Sequence, residues 1–452
     1  MLWQVKQAEF DLSPSHVDQT LMLTARLSYV SPDAAFAAFA DLPHLAFLDS
    51  AASHDPRSKV SYLCFSPRAS LRLAAKPYTT LRDWMAGFAA PERPADWPFD
   101  FAGGAVGWIG YDLARETAEV PSRFAPLPGL STGWFGMYTT LLAFDLDAQQ
   151  LYYLGSEEEL PAVEARLERT ALLPPVPQFT WQAEMDRQSY RERLETLREY
   201  IAAGDLYQAN LTMRFVADRP EGLSLAALYR QLRSLSPAPF GTYLDAGYCG
   251  LASASPERFL RLSPSGEVET RPIKGTVARQ TTPEADARAA AELRTNPKER
   301  AENLMITDLL RNDLSKVCRV GSVEVAELWK LESYAQTHHL VSVITGQLRP
   351  EFDAFDLLAA TLPGGSITGA PKRRAMQIID ELEFGARGAY CGALAWIGFN
   401  GAMDSAILIR TLSATQSHLY AQAGGGITWE SNWEAEYEEA RIKIAPLLAL
   451  GQ

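Results

Sequence analysis

Lys274 stands in the segment TRPIKGTVAR, between Ile273 and a Gly-Thr pair, where the pattern predicts a strand entering a tight turn. A long charged side chain there either carries its ammonium out to water or holds an amine in a pocket for nucleophilic work. Glu257 in SASPERFLRL follows Pro256 and precedes an apolar strand, as a surface partner of Arg258 or as an acid. Two further glutamates fall on helical stripes. Glu302 shares a face with Met305, Ile306 and Leu309; Glu439 lies between Ala435 and Ile442, with Glu436 one turn earlier. A carboxylate on an apolar stripe is costly to bury unless a cation or donors meet it. Two of them on distant helices suit Mg²⁺, which takes hard oxygen ligands and keeps waters, whereas stripe-edge residues reaching water are the ordinary alternative. Arg410 in SAILIRTLSA puts a guanidinium inside an apolar strand, where it needs a carboxylate unless the strand is an edge facing solvent.

The glycine-rich stretch TLPGGSITGAPKRRAM has Gly364 and Gly369 at phosphate-loop spacing, but Ala370 stands where the lysine belongs and Pro371 follows, so nucleotide binding is rejected. What survives is a loop feeding a helix N-terminus, where free amides can receive a carboxylate, or a tight turn. AGGGIT, with Gly425 and Gly426, is a second place where backbone can approach a ligand. His338 and His339 are adjacent on an expected strand and so face opposite ways, which favours a hydrogen-bonding histidine over a zinc pair.

The elements that must position these groups are of two kinds. Before LLPPVPQFT (172–180), short apolar runs such as KVSYLCFSP and TTLLAFDLD alternate with Pro-rich loops, the mark of strands. After it come long amphipathic helices, with strand-like runs such as DSAILIRTLSA between them. Asn296-Pro297, with Glu299 three residues after the asparagine, marks one helix start; Ser431 with Glu434 reads as a capping box for the last helix. The proline-rich break divides residues 1–171 from a unit over 181–452.

The 42 basic and 55 acidic residues leave a net charge of −13 and argue against nucleic-acid or anionic-membrane partners. An anionic substrate would therefore need a local cation. Four scattered cysteines form no metal or disulfide framework. MLWQVKQAEFDLSPSH has no leader-like apolar run, and no stretch of about 18 apolar residues occurs, so a cytoplasmic protein without a membrane span is expected.

SPERF, PIKGT, AENLMITDLLRNDL, HHLVS, GGSITGAPKRRAM and EAEYEEARIKI, in that order across about residues 185–446, resemble the chorismate-utilising enzymes. The first 170 or so residues are similar to the family's N-terminal region. The resemblance implies an α+β fold: two large, mostly antiparallel sheets packed face to face with helices outside. It implies that Glu302 and Glu439 hold Mg²⁺ against the ring carboxylate of chorismate, with Glu436 assisting through water. Arg410, Tyr390 and the amides near Gly425 and Gly426 would receive the pyruvyl carboxylate; Thr276, His339 and Ser366 would line the ring.

Within the family, anthranilate synthases carry alanine where Lys274 stands, and isochorismate-forming members carry a water-activating lysine at the place of Gln208. Lys274 with Gln208 resembles the branch that makes 4-amino-4-deoxychorismate, the aminodeoxychorismate synthase component I type. That resemblance implies attack of Lys274 on ring C2, protonation of the departing 4-hydroxyl by Glu257, and entry of ammonia at C4. Such attack needs an uncharged amine, while an ordinary lysine titrates near ~10.4. No cysteine sits in a G-x-C-x-G glutaminase setting; GYCGL around Cys249 comes nearest. A separate glutamine amidotransferase subunit is therefore expected. LAFLDSAASHDPRSK (45–59) resembles the region where family members hold tryptophan, with Asp49-Ser50 replacing the glutamate-serine of inhibited members; a tryptophan pocket, an emptied site and a plain loop all stay open.

Overall fold

A computed structural model describes residues 22–52, 55–334 and 337–452. The segment 1–16 read for a leader, and Ser53 and His54 of the segment 45–59, lie outside the described residues. Among the described residues the strands form two antiparallel sheets, of twelve and ten strands. Strands from both sides of the proline-rich break contribute to each. In the larger sheet Ala46–Asp49 pairs with Val60–Cys64 on one side and Phe240–Asp245 on the other. In the smaller one Gly104–Ile109 pairs with Ala393–Gly398. Residues 170–181 form no regular element, yet the Phe179 amide donates to the Gly451 carbonyl and pins this stretch to the C-terminus.

The two sheets pack face to face. Ala46, Tyr62, Leu141 and Leu251 of the larger interdigitate with Val106, Trp108, Trp134 and Tyr138 of the smaller, and Trp108 stacks on Trp134 at 6.1 Å. Because successive strand residues point to opposite faces, the neighbours of these residues build outer cores. Phe47 and Leu63 pack under helix Leu225–Leu235 on one outer face; Leu260 and Ile344 pack under helices Pro297–Ser315 and Ala354–Thr361 on the other. Strands buried on both faces read as near-continuous apolar runs, which is why Gly104–Ile109 shows no polar alternation.

The site is built on β1 (Gln208–Asp218), β2 (Ile273–Ala278), α1 (Pro297–Ser315), β3 (Thr337–Gln347), α2 (Lys372–Leu382), β4 (Met403–Ile407), β5 (Thr411–Ala414), β6 (His418–Ile427) and α3 (Trp433–Leu448). β4 belongs to the smaller sheet and β5 to the larger, so the chain crosses between sheets over residues 408–410. Arg410 lies in that crossing with φ of +50°, not inside an apolar strand as its flanking sequence suggests. Among the described residues no helix is long and apolar enough to cross a membrane.

Candidate functional site

β2 is bulged against β3. Ile273 pairs with Val341 and Thr276 with His339, so three steps on β2 match two on β3. Such an insertion re-aims the side chains it contains. Gly275 completes it with φ of +84°, and a Cβ there would stand 2.9 Å from Leu293 Cδ1. Lys274, aimed by this bulge, is 15% exposed, with Nζ 3.9 Å from Glu302 Oε2. It lines a cavity of about 470 Å³. The pocket alternative for this residue, not the solvated one, is what the fold contains.

The two helix starts differ from each other in outcome. Asn296 caps α1 by accepting from the Lys298 and Glu299 amides, as expected. α3 is capped by Asn432, not Ser431; the Ser431 hydroxyl instead donates to Glu436 Oε1 at 2.7 Å. The apolar stripe of α3 is also shifted from its sequence reading. Ala440, Ile444 and Leu447 are buried with Glu436, whereas Ile442 is 73% exposed. Glu439 consequently sits at the cavity rim with its side chain 55% exposed, held 2.6 Å from Lys443 Nζ. Glu302 and Glu436 are 13% and 7% exposed, and Lys298 Nζ lies 3.9 Å from a carboxylate oxygen of each.

Burial, set against Lys274 and Lys298, holds the Glu302 carboxyl above its ordinary range, with Glu299 and Glu439 adding repulsion. Burial and repulsion from Glu439 and Glu302 raise Glu436 despite its Ser431 bond. Glu439 is partly buried, but Lys443 outweighs that and keeps it low. Three carboxylates on two helices thus line one cavity, two of them held above the ordinary carboxylate range chiefly by burial. That donor chemistry fits a hard divalent cation with few protein ligands and several from water or substrate. Among the described residues no group of three His, Cys, Asp or Glu side chains stands close enough to hold an ion by itself.

Glu257 is 8% exposed. Burial pushes its carboxyl up to about 7, against the opposing pull of Lys274, the Ile273 amide, Arg57 and the Ser366 hydroxyl. Its neighbour Arg258 turns away to pair with Asp404 at 3.0 Å, so the surface-turn alternative does not hold. Arg410 meets no carboxylate among the described residues. Burial depresses its guanidinium, and its partner must come from whatever fills the cavity. The histidines do face opposite ways. His338 Nε2 lies 3.0 Å from Asp286, and His339 contacts the Thr276 hydroxyl at 2.8 Å on the cavity side. Burial, followed by Arg57 and Arg410, lowers His339 to about 4, which leaves a neutral ring able to hydrogen-bond.

Ser366, Tyr390, Gly425 and Gly426 line the same cavity. The glycines on β6 are there for close approach: a Cβ on Gly426 would fall 2.3 Å from Gln208 Nε2 and 3.2 Å from Lys274 Nζ, and one on Gly425 3.0 Å from Glu436 Oε2. Gly369 serves the chain itself. Its missing side chain lets β1 pair at Gln208, and the N-terminus of α2 does not line the cavity.

The sequence profile of the chorismate binding enzymes matches residues 46–449. The chain belongs to this family. Aminodeoxychorismate synthase component 1 of Klebsiella aerogenes is 39% identical over 92% of the chain and 96% of its own length. Anthranilate synthase component 1 of Thermus thermophilus is 37% identical over 92% and 94%. The crystal structure of anthranilate synthase component I from Streptococcus pneumoniae TIGR4 superposes with a TM-score of 0.76 at 28% identity, over 88% of this chain and 93% of that one.

In this chorismate-utilising enzyme the fold brings together the twelve residues that the resemblance gave a catalytic, substrate-binding or metal-holding part: Lys274, Glu257, Thr276, His339, Ser366, Tyr390, Arg410, Gly425, Gly426, Glu302, Glu436 and Glu439 all line one cavity. Lys298, Asn210, Gln422 and Lys443 line it too and were not foreseen. Lys298 and Lys443 were visible as i,i+4 partners of Glu302 and Glu439. Asn210 and Gln422 had no signal beyond polarity in an apolar strand. Asp49, in the segment similar to a tryptophan region, is buried and held by Arg233 at 2.6 Å and the Tyr229 hydroxyl at 2.9 Å.

Proposed function

We propose that the protein aminates chorismate to 4-amino-4-deoxychorismate, a first step toward 4-aminobenzoate and folate, in the cytoplasm. One observation carries the reading: the bulge at Lys274 aims an amine into the cavity that holds a carboxylic acid whose proton is retained to about 7. The Lys274 nitrogen bonds to ring C2, the ring double bonds shift, and the C4–O bond breaks. Glu257 supplies the proton with which the hydroxyl leaves as water, since burial keeps its carboxyl protonated toward neutral pH. Ammonia then bonds to C4, the double bonds shift back, and the C2–N bond to Lys274 breaks. The pyruvyl ether survives intact, so a separate lyase would complete 4-aminobenzoate.

Arg410 is the partner for the pyruvyl carboxylate, since a half-buried guanidinium that meets no carboxylate among the described residues calls for an anion. Tyr390 and the amides near Gly425 and Gly426 would share that carboxylate, while Thr276, His339 and Ser366 line the ring. Glu302 and Glu439, with Glu436 through water, would hold Mg²⁺. When bound, that ion neutralises the ring carboxylate beside a lysine that must attack uncharged. Gln208, fully buried on β1, offers no base for adding water, which opposes isochorismate formation. Ammonia would come from a glutamine amidotransferase subunit, as expected from a relative named component 1.

Intact-protein mass spectrometry with chorismate and Mg²⁺ but no ammonia tests the reading. A covalent adduct that Lys274→Ala abolishes is expected; no adduct in the wild-type protein refutes the nucleophile. Anthranilate formation is the second reading, kept by the 37% identical Thermus thermophilus relative. Pyruvate released on adding ammonium, without a lyase, would select it.

A further inference from the structure

The peptide planes on either side of an α-carbon set where its side chain points. At Glu257 both planes are held. The amide of the preceding plane donates to Ser255 Oγ at 3.3 Å, and the carbonyl of the following plane accepts from the Ile407 amide at 3.2 Å. Those partners end the strands Gly250–Ser255 and Met403–Ile407. A third bond comes from the far side of the proline-rich break. Arg57 Nη1 donates to the Pro256 carbonyl, the oxygen of the preceding plane, at 3.2 Å. Pro256 and Glu257 line the substrate cavity and Arg57 does not, so it meets their turn from outside the cavity.

Arg57 is itself fixed. Its side chain is 11% exposed, and Asp55 accepts from its Nε at 2.9 Å and its Nη2 at 2.6 Å as a two-point pair. The same carboxylate accepts from the Arg57 amide at 2.9 Å, and the Ser58 amide donates to the Asp55 carbonyl, so turn and guanidinium are locked together. The guanidinium lies 4.8 Å from the centre of the Tyr334 ring, which in turn lies 5.3 Å from the His339 ring. An ion pair this deep is no more stabilising than apolar residues of similar size. What it adds is a donor for the Pro256 carbonyl and a charge near the acid.

We propose that Arg57 is a positioning residue for Glu257: held by Asp55, it clamps the Pro256 carbonyl and fixes the direction in which the acid faces the substrate. The inference deepens the amination reading and rests on its assignment of Glu257 as proton donor. The groups that face this carboxyl are Lys274 and the Ile273 amide on β2, the Ser366 hydroxyl, the Cys391 thiol and Arg57. Lys274 and Arg57 both oppose the burial that raises it. Asp55 offsets the Arg57 charge, so the two members of the pair act on the acid with opposite signs.

Arg57→Met and Asp55→Asn test the role. In Arg57→Met, kcat should fall about tenfold, while the chorismate dissociation constant by calorimetry stays within about twofold. The alkaline limb of kcat/KM, which reports the acid of the free enzyme, should move up by about half a pH unit in Arg57→Met and down by about as much in Asp55→Asn. A merely structural tie would weaken both variants alike and leave the limb in place. That result overturns the role, as does an unchanged kcat in folded Arg57→Met protein. Wild-type protein that forms neither adduct nor aminated product refutes the amination reading instead. Arg57 is then judged without substrate, by the pH at which the urea stabilities of the protein and of Glu257→Gln part. A rise in that pH when both also carry Arg57→Met supports the role, and an unmoved pH overturns it.

Discussion

Replacing Glu257 by Gln tests whether a protonated acid is built into the cavity, and stability and activity should move in opposite directions. The folded protein raises this carboxyl from its ordinary 4.5 to about 7, chiefly by burial. The folded state therefore binds the proton more tightly than the unfolded chain does. The associated stability is fully present below pH 4.5 and is lost as pH rises through about 7. At ~1.4 kcal/mol per pH decade, the interval corresponds to about 3 kcal/mol of lost stability by pH 8. Glutamine has nothing to ionise and keeps the carbonyl that the Ser366 hydroxyl and Ile273 amide meet. Urea unfolding should show the two proteins within about 1 kcal/mol of each other at pH 5. By pH 8 the variant should be the more stable by about 2–3 kcal/mol, while turnover falls by about 10²–10⁴ for loss of a general acid. Wild-type turnover should itself decline above pH 7 as Glu257 loses its proton. Parallel unfolding midpoints for the two proteins from pH 5 to pH 8 would refute the reasoning, because they would mean that Glu257 titrates as an ordinary surface carboxylate.

Three further outcomes follow from the same geometry. Gly426→Ala places a Cβ 2.3 Å from Gln208 Nε2 and 3.2 Å from Lys274 Nζ; steady-state turnover should fall at least about tenfold while urea stability drops by only about 1–3 kcal/mol. Arg410→Met removes a half-buried cation that meets no carboxylate among the described residues, so the ligand-free protein should gain about 1 kcal/mol in urea unfolding, while chorismate affinity by calorimetry weakens about 100-fold. Glu302→Gln removes one carboxylate from the crowded pair with Glu436, so Mg²⁺ titrated calorimetrically in the presence of chorismate should lose at least about tenfold in affinity, and wild-type turnover should vanish on chelation and return with added Mg²⁺.

Much of the chemistry was legible because it is local. PIKGT, SPERF and the glutamates of two helices could be read from residue type and spacing, and the cap at Asn296 follows from the side chain that precedes a first-turn proline. The rejection of a phosphate loop was also local, since a missing lysine is a fact about one position. What spacing could not supply was which face of α3 is buried. Ala435, Glu439 and Ile442 are as good a helical stripe as Glu436, Ala440 and Ile444, and only packing against the larger sheet selects the second. Arg410 was misplaced for a related reason: the nine residues that flank it in SAILIRTLSA look like one strand, but the chain leaves one sheet and enters the other within them.

The sequence by itself therefore determined the kinds of groups the cavity contains, the α+β character and the balance of acid over base. Tertiary structure alone decided that residues as distant as Glu257, Lys274, Glu302, Arg410 and Glu436 face one space, and that Lys274 points into it. The physical reason is that strand pairing and sheet packing are non-local: a register shift of one residue between Ile273 and Thr276 turns a solvated lysine into a buried one, and no local preference encodes the partner strand.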